Sequence, residues 1–211
     1  MGHSKASKAN TRARLVAAAA ARFKEHGIDG ISLADLMKEL ELTHGGFYKH
    51  FASRAELVTE ALELALDESG QAMRERLLDG DHPDIGAFVD FYLDEGHRDE
   101  RAAGCAVAAL AGDAPRKSTD VQSQFRKHID SNLKILSEAL PAGASPDNVR
   151  STAVVILSAL YGALIVARAV GDSPLSRELL RTVRRQVLDL AGAAKKPRTR
   201  ARVKKTETTR R

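Results

Sequence analysis

Residues 32–51, with the sequence SLADLMKELELTHGGFYKHF, decide the predicted fold of the N-terminal part of the chain. Ser32 is suited to cap a first helix whose apolar residues recur at helical spacing. Those apolar residues are Leu33, Leu36, Met37 and Leu40. Glu41 and Leu42 form a turn, and Thr43 can cap a short second helix. Two short helices joined by a tight turn predict a helix-turn-helix, in which the second helix enters the DNA major groove.

The second helix contains Gly45 and Gly46, each about 1 kcal/mol less favourable than Ala in a helix. Without side chains at these positions, the helix backbone can approach another surface closely. The neighbouring polar residues offer groups suited to phosphates and base edges, and they are Thr43, His44, Tyr48, Lys49 and His50. A helical corner with no binding role is the alternative interpretation. Packing does not explain the glycines, so DNA contact is favoured.

The segment from about Thr11 to Leu64 resembles the DNA-binding domain of the tetracycline-repressor (TetR) family. The resemblance depends on the helix ending FKEHG at residues 23–27, on the helix-turn-helix, and on the motif FYKHFASRAEL at residues 47–57. Leu40 and Glu41 depart from the family pattern, which has a small Ala followed by Gly. A left-handed backbone at Glu41 would cost about 1 kcal/mol relative to Gly.

The resemblance implies an all-α fold of about nine helices, with an N-terminal three-helix DNA-binding domain and a C-terminal helical domain for ligand binding and dimerisation. It implies backbone-phosphate contacts by Tyr48, Lys49 and His50, and it places Thr43, His44 and Gly45 where base contacts are made. The predicted DNA-binding set is completed by Ser32, Gly46 and Arg54.

Composition points to the same fold class. Of the 211 residues, 43% are hydrophobic but only 4% are aromatic, so Leu, Ala and Val must form a helical core. No apolar run approaches the roughly 18 residues of a membrane span, and the N-terminus lacks the apolar core of a signal peptide. The single cysteine, Cys105, excludes an internal disulfide framework. We therefore expect a cytoplasmic protein with no membrane association.

Charge is distributed unevenly around the net value of +5. Residues 1–54 have nine Lys and Arg against five Asp and Glu, a net of +4, and residues 195–211 have nine against one, a net of +8. The remainder, residues 55–194, therefore has a net charge of −7. Because basic segments release counterions from the phosphate backbone, the two ends are the expected nucleic-acid contacts.

The predicted domains are a flexible basic arm at 1–9, a DNA-binding domain at 10–68, a ligand-binding and dimerisation domain at 69–192, and a disordered basic tail at 193–211. Helices are predicted from about 10 to 26 and, after the helix-turn-helix, from about 54 to 78, 83 to 95, 98 to 111 and 118 to 140. Two apolar helices at about 147–170 and 174–190 have more apolar surface than one partner requires. They match the helices through which TetR-like proteins form homodimers.

Cys105 lies in the apolar stretch GCAVAAL, on the helix predicted from residue 98. The favoured interpretation is a small buried hydrophobic residue. A redox or electrophile sensor is the alternative, because some TetR-like repressors that resemble this chain around the Gly-Cys pair respond to reactive compounds. Arg101, at position i−4, would share its helix face and is the only basic residue predicted nearby.

Two further groups of residues have weaker signals. Phe125, Tyr161 and Arg168 line a ligand cavity in one interpretation and fill the core in the favoured one. The spacing of a set of histidines and acids fits no metal-binding motif. We interpret these residues as solvated polar side chains, and they are His82, His97, His128, Glu95, Asp99 and Glu100. No nucleophile, base and orienting group occur in a recognisable arrangement, so neither an enzyme nor a cofactor is predicted.

The sequence predicts a sequence-specific transcriptional regulator, a repressor that binds a palindromic DNA operator as a homodimer and is released by an unknown small-molecule effector. Two alternatives stay open. One is a thiol-based sensor that uses Cys105, and the other is a sequence-tolerant architectural DNA-binding protein that depends on the basic ends.

Overall fold

The computed structural model describes residues 2–78, 80, 82–141 and 145–192. Within these residues the chain forms ten α-helices, a single 3₁₀ turn at Ala114–Arg116 and no β-strand. The helices are α1 Gly2–His26, α2 Leu33–Glu39, α3 His44–Phe47, α4 Arg54–Leu78, α5 Ile85–Tyr92, α6 Glu95–Asp99, α7 Ala106–Leu110, α8 Thr119–Ala139, α9 Pro146–Ala169 and α10 Pro174–Leu190. The all-α prediction is confirmed, and the predicted tail at 193–211 lies outside the described residues.

Local capping explains most of the helix boundaries. The hydroxyls of Ser118, Ser145 and Ser173 accept hydrogen bonds from the third backbone N–H that follows each of them, which satisfies free donors at the starts of α8, α9 and α10. After α1 and α9, Gly27 and Gly171 have φ values of +83° and +66°. Residues with a side chain rarely adopt this left-handed backbone conformation, so these two glycines end their helices where the sequence predicts.

Two predicted helices differ from the observed ones. α1 begins at Gly2, so the segment predicted as a flexible arm is helical here. The helix predicted from 98 to 111 is interrupted, and residues 101–104 form turns between α6 and α7. A Cβ at Gly104 would lie 2.8 Å from Arg168 Nη2 and 2.9 Å from the Glu100 carbonyl oxygen. The packing leaves no room for a side chain at residue 104. The backbone N–H groups of the two residues after Gly104 donate to side-chain acceptors instead of to helical carbonyl oxygens.

The N-terminal head consists of α1, α2, α3 and the start of α4. Its core includes Leu15, Phe23, Leu36, Phe47 and Phe51, all fully or almost fully buried. α4 leaves the head, packs along α1 and α8, and enters the C-terminal body. α8, α9 and α10 pack in sequence to complete that body, so α4 connects the two parts as one continuous helix.

α9 is the most apolar long helix. Its most apolar 18-residue window has a mean hydropathy of 1.9, which by length and composition alone would allow it to cross a membrane. Of that window, 39% is buried against the rest of the protein, and α8 and α10 pack on it. A core helix passes the same test, so this composition is weak evidence for a membrane span.

Candidate nucleic-acid interface and internal cavity

Local hydrogen bonds set the turn between α2 and α3. The Glu41 N–H donates to the Lys38 carbonyl at 3.1 Å and the Leu42 N–H to the Met37 carbonyl at 2.8 Å, which is a Schellman motif. Glu41 occupies the position of this motif that favours glycine, with φ at +57°. The left-handed conformation considered from the sequence is therefore present, and the turn keeps its form despite the acidic side chain.

Side-chain caps fix the starts of both helices of the motif. The Ser32 hydroxyl accepts from the Asp35 N–H at 3.1 Å, and the Thr43 hydroxyl accepts from the Gly46 N–H at 3.2 Å. Both caps agree with the sequence prediction. Ser32 and Thr43 are both exposed, so each can also contact a partner outside the protein.

α3 has a buried side and an exposed polar side. Phe47 is fully buried and stacks on Phe51 with the ring centroids 5.3 Å apart, which fixes the helix to the head. Tyr48 is 61% exposed. The other exposed residues on this side are Thr43, His44, Gly45 and Lys49.

Gly45 is not required by packing within the protein, since a Cβ built there has no atom within 4 Å. At Gly46 the Thr43 hydroxyl would lie 3.3 Å from the added Cβ, so the cap itself favours glycine at that position. The open space beside Gly45 leaves the α3 backbone accessible to a surface outside the protein.

His50 does not present a free cation. Its ring is half-buried, and the Nδ1 atom is buried with no hydrogen-bond partner among the described residues. Burial lowers the pKa of His50, and the positive charges of Lys8, Arg12 and Lys49 lower it further. The imidazole is therefore neutral near pH 7, and Lys8 and Lys49 are the unpaired cations near it among the described residues.

Arg54 and Arg12 are used inside the protein. Arg54 Nη2 donates to the Ile28 carbonyl at 2.7 Å. Arg12 pairs with Glu56 at 2.7 Å, also contacts Glu60, and lies 4.1 Å above the centroid of the Phe51 ring. The Arg54 guanidinium braces the loop after α1, and its predicted contact with DNA stays a prediction.

A polar junction connects the head to the body. The Asp113 carboxylate accepts from the Ile28 N–H at 3.1 Å, and Lys117 Nζ contacts both carboxylate oxygens of Asp29 at 2.6 and 2.7 Å. The partners are more than 80 residues apart, so no local pattern in the sequence indicates these contacts.

A cavity of about 110 Å³ lies within the body, against α1, α4, α5, α6, α8 and α9. Its apolar wall includes Met73, Phe88, Phe91 and Leu157. The polar groups that face it include Lys24, Tyr92, Cys105, Asn132 and Tyr161. Sequence reasoning missed Lys24 and Tyr92. The available signal was that Lys24 follows Ala20 by one helical turn and therefore shares the inner face of α1.

Cys105 occupies the N-cap position of α7 and not the middle of an apolar helix. Its N–H donates to His97 Nε2 at 3.2 Å, and the opposite ring nitrogen, Nδ1, lies 2.8 Å from the Tyr92 carbonyl. Nε2 must be the acceptor and Nδ1 the donor, so His97 is neutral. Because residues 101–104 are turns, the predicted helical pairing of Cys105 with Arg101 is wrong. The basic residue that lines the cavity with Cys105 and is buried is Lys24.

The three residues proposed for a ligand pocket have different places. Tyr161 lines the cavity, and its hydroxyl oxygen accepts from Asn132 Nδ2 at 3.0 Å. Phe125 is a buried core residue outside the cavity wall, as the favoured interpretation expected. Arg168 donates to the carbonyl oxygens of His97 and Arg98 at 2.9 and 3.0 Å and so holds α6 against α9.

Two histidines interpreted as solvated are buried, which corrects that interpretation. His97 joins α5 to α7 through the hydrogen bonds described above, and His128 Nε2 lies 2.9 Å from Asn132 Nδ2. Burial lowers the pKa of both residues. Among the residues that the structure describes, no group of three or more His, Cys, Asp or Glu side chains is arranged to hold a metal ion.

Comparison with known proteins identifies relatives of both parts of the chain. The model of bacterial regulatory proteins of the tetR family matches residues 15–61, and that of the C-terminal domain of LmrA/YxaF-like transcriptional regulators matches residues 83–186. An uncharacterized HTH-type transcriptional regulator of Mycobacterium tuberculosis is 27% identical over 168 residues, covering 76% of this chain and 86% of that protein. The HTH-type transcriptional repressor NemR of Escherichia coli K12 is 26% identical over 137 residues, covering 64% of this chain and 69% of that protein.

Solved structures share the fold. A TetR-family regulator from Cytophaga hutchinsonii superposes with a TM-score of 0.73 at 17% identity, over 88% of this chain and 95% of that one. The reduced form of Escherichia coli NemR superposes with a TM-score of 0.70 at 22% identity, over 85% and 96%.

An all-helical fold with an exposed helix-turn-helix at one end and a helical body at the other defines a DNA-binding transcriptional regulator. The chain belongs to the TetR family of bacterial regulators, which confirms the resemblance seen in its sequence. Regulators of this family bind DNA and typically form dimers and bind small-molecule effectors. The family and the relatives found are regulators and not enzymes.

Proposed function

We propose that the protein is a cytoplasmic repressor that binds a palindromic operator as a homodimer and is released by a small molecule. The observation that supports DNA binding best is the exposed side of α3, where Tyr48 and Lys49 lie beside the open backbone at Gly45. Thr43, His44 and Gly45 would contact bases, and Tyr48 and Lys49 would contact phosphates. In a symmetric dimer the two α3 helices would enter major grooves about 34–36 Å apart.

The dimer interface that we propose is formed by α9 and α10. Val154, Val155, Ile165 and Val166 on α9 and Leu175 and Leu190 on α10 are large apolar residues that are 42% to 53% exposed. Val155, Gly162 and Val166 follow one another at helical spacing, and nothing lies within 4 Å of a Cβ placed at Gly162. Large apolar side chains exposed along two neighbouring helices support a protein–protein contact there.

The effector site that we propose is the internal cavity. α4 extends from the DNA-binding head to the cavity wall at Ser69 and Met73, and Lys24 of α1 contributes to the same wall. An effector would therefore contact two helices that belong to the head. Ligand binding and DNA binding are then reciprocally linked, typically by about 1–3 kcal/mol, and effective release requires the upper end of that range.

Selection of bound DNA from a random pool, followed by affinity measurements at several salt concentrations, tests the DNA-binding proposal. We expect an enriched inverted repeat. No enrichment together with a steep salt dependence would favour the architectural alternative, in which specific and nonspecific affinities are nearly equal. Deletion of residues 193–211 should reduce the salt slope without changing the selected sequence.

The dimer proposal is tested with the double variant Val155→Glu, Val166→Glu, which places charges in the apolar surface. We expect a monomer in sedimentation experiments and a loss of operator affinity of about 100-fold or more, because bivalent binding is lost. Gln122→Glu, at an exposed position on α8, is the control and should remain dimeric. A double variant that still forms dimers would contradict the assigned interface.

Thiol sensing is the second candidate function, and the observation that favours it is the position of Cys105 on the cavity wall near the buried Tyr92 hydroxyl. An α,β-unsaturated carbonyl compound that enters the cavity would form a carbon–sulfur bond between its β carbon and Cys105. Its carbon–carbon double bond would become a single bond, and the thiol proton would pass to the α carbon. Cys105→Ser should then bind the operator normally and no longer respond to an alkylating compound. A Cys105→Ser protein that is still released by such compounds would exclude this candidate.

A further inference from the structure

We propose that the effector of this cavity is a small aromatic carboxylate, whose ring contacts the apolar wall and whose carboxylate is bound by Lys24 and Tyr92. The inference rests on the proposed function of the cavity as the effector site. It depends on four observations, which are a buried amine, an unpaired hydroxyl, the charge of the cavity wall and the cavity size.

Lys24 is the first of these observations. Only 6% of the residue is exposed, and its ammonium makes no hydrogen bond to any part of the chain that the structure describes. Its ion-pair partner is Glu68, at 3.8 Å, whose side chain is 55% exposed. A buried charge is costly unless it is paired and hydrogen-bonded. The ammonium lies on the cavity wall with three donors and one distant partner, so a bound anion would satisfy it.

The Tyr92 hydroxyl is the second observation. Tyr92 is 6% exposed, and its oxygen is buried without a hydrogen-bond partner among the described residues. Buried hydroxyls are normally hydrogen-bonded, and the Cys105 thiol beside this one is only a weak acceptor. The donor therefore indicates a missing stronger acceptor. Tyr92 and Lys24 come from α5 and α1 and line the same cavity, which provides two donors for one carboxylate.

The other polar groups of the wall set its charge. His97 is neutral, because both ring nitrogens are used by backbone groups. The Ser69 hydroxyl accepts from the Ala106 N–H and donates to the Ala65 carbonyl, so it is also satisfied. Arg76 adds a second positive charge, and Glu68 is the only acid in the described wall. Two cations against one exposed acid favour an anion and disfavour a cationic ligand.

The cavity size limits the rest of the ligand. Its volume of about 110 Å³ is below the roughly 300–1,000 Å³ of pockets for drug-sized ligands and near that of a cavity of about 150 Å³ that binds benzene. Phe88 and Phe91 line it with Met73 and Leu157, and the Arg76 guanidinium lies 3.7 Å from the Phe91 ring centroid. One aromatic ring is therefore the upper limit for the apolar part of the ligand, and its acidic group would lie at the Lys24 side of the wall.

The position of Lys24 also suggests how binding reaches the DNA. Lys24 follows the buried Phe23 in α1, whereas Glu68 belongs to α4, and these helices pack along each other. A carboxylate that replaces Glu68 as the partner of Lys24 would change the contact between α1 and α4 directly. Release would then begin within the head and would not require a movement transmitted from the distant end of the body.

The test is calorimetric titration of the full-length protein with sodium benzoate and with benzamide, a neutral compound of nearly the same shape. We expect benzoate to bind about 10- to 100-fold more tightly than benzamide, because hydrogen bonds to charged groups contribute that much. Equal affinities, or no benzoate binding, would overturn the inference. This comparison uses the unmodified protein, so it does not depend on the folding of a variant.

Variants then locate the site. Lys24→Met keeps the apolar stem and should weaken benzoate binding about 10-fold or more, and Tyr92→Phe should weaken it about 3- to 10-fold. Lys38→Met, an exposed lysine on the same head, is the matched control and should leave the affinity unchanged. A folded Lys24→Met protein with the affinity of the unmodified protein would overturn the assignment of the carboxylate site.

Operator release is measured separately, by fluorescence anisotropy of the selected DNA, so that the two proposals can fail independently. Benzoate that binds through Lys24 and leaves the operator bound would support the ligand class and contradict the release function. An operator-binding protein that benzoate neither binds nor releases would overturn the ligand class and leave the regulator intact.

Discussion

The caps of the helix-turn-helix and the joints between helices of the body are polar contacts of different range. In the helix-turn-helix, the caps join residues three apart, as in Ser32 with Asp35 and Thr43 with Gly46. In the body, Arg98 Nη1 donates to Ser176 Oγ, 78 residues away, and Arg168 donates to the carbonyl oxygens of His97 and Arg98 across about the same separation. The turn of the helix-turn-helix is therefore specified by neighbours along the chain. The joints between helices in the body, like the Arg12–Glu56 pair that links α1 to α4, depend on contacts that exist only after folding.

This difference also separates the two candidate sites. The α3 surface points its polar groups outward, so its residues can be identified from type and spacing. The cavity is formed by side chains from six helices, and its charge depends on which of them become buried. Stability measurements on one variant in the head and one in the body test this difference. A pH series and a variant of the left-handed turn residue test it further.

The largest expected effect is in the core of the head. Phe47→Ala removes a fully buried ring that stacks on Phe51, and we expect a loss of about 3–5 kcal/mol in the free energy of unfolding. Urea denaturation measures the loss. Tyr48→Ala is the control, because this exposed residue should change stability by about 0.5 kcal/mol or less while weakening operator binding. Similar destabilisation by both variants would contradict the assigned sides of α3.

The second effect tests the long-range contacts of the body. Arg98 is buried, and its guanidinium contacts Ser176 and Asp99, at 3.0 and 2.6 Å. Arg98→Met should lower the free energy of unfolding by about 1.5–3 kcal/mol, because charged hydrogen bonds are lost while the apolar stem is kept.

Arg177→Met is the matched control for Arg98→Met. Arg177 pairs with Asp172 at 2.6 Å, but its side chain is exposed, and such pairs contribute about 0–1 kcal/mol. If the two variants lose equal free energy of unfolding, the buried Arg98 contact does not stabilise the body more than an exposed ion pair does.

The third prediction concerns pH. Burial lowers the pKa of His97 and His128 from the ordinary value of 6.5 in the folded protein. The unfolded chain then binds more protons than the folded chain below about pH 6.5, so the free energy of unfolding should fall as the pH is lowered through that value. Urea denaturation between pH 7.5 and pH 5 provides the measurement.

Two histidine variants assign the pH dependence. His128→Gln keeps an acceptor near Asn132 and should reduce the slope of stability against pH. His44→Gln, at an exposed position on α3, should leave the slope as it is. An equal slope in all three proteins would show that His128 does not contribute to the acid sensitivity.

The smallest expected effect is at Glu41, the left-handed residue of the turn. Glu41→Gly should stabilise the protein by about 1 kcal/mol or less, because glycine adopts a positive φ without steric cost. Glu41→Ala keeps the Cβ and should give no gain. Thermal unfolding of the two variants side by side distinguishes the backbone effect from the loss of the acidic side chain.

Much of the head could be predicted because its signals are local. The apolar spacing of α2, the caps at Ser32 and Thr43 and the glycine after α1 each involve residues within one or two helical turns. The same kind of reasoning failed at residues 98–111, where helical periodicity predicted one helix. There the N–H groups of Cys105 and Ala106 donate to His97 and Ser69, and these acceptors come from other segments of the chain.

The sequence by itself determined the all-helical fold, the helix-turn-helix, the family and the polar residues of α3, because periodicity and capping involve near neighbours. Only the tertiary structure decided that Arg54 and Arg12 turn inward, that Cys105 begins a helix, and that Lys24 and Tyr92 share a cavity. The physical reason is that the burial and pairing of a charged group depend on which helices meet. The sequence alone does not indicate whether the ammonium of a lysine is solvated or lies against an apolar wall.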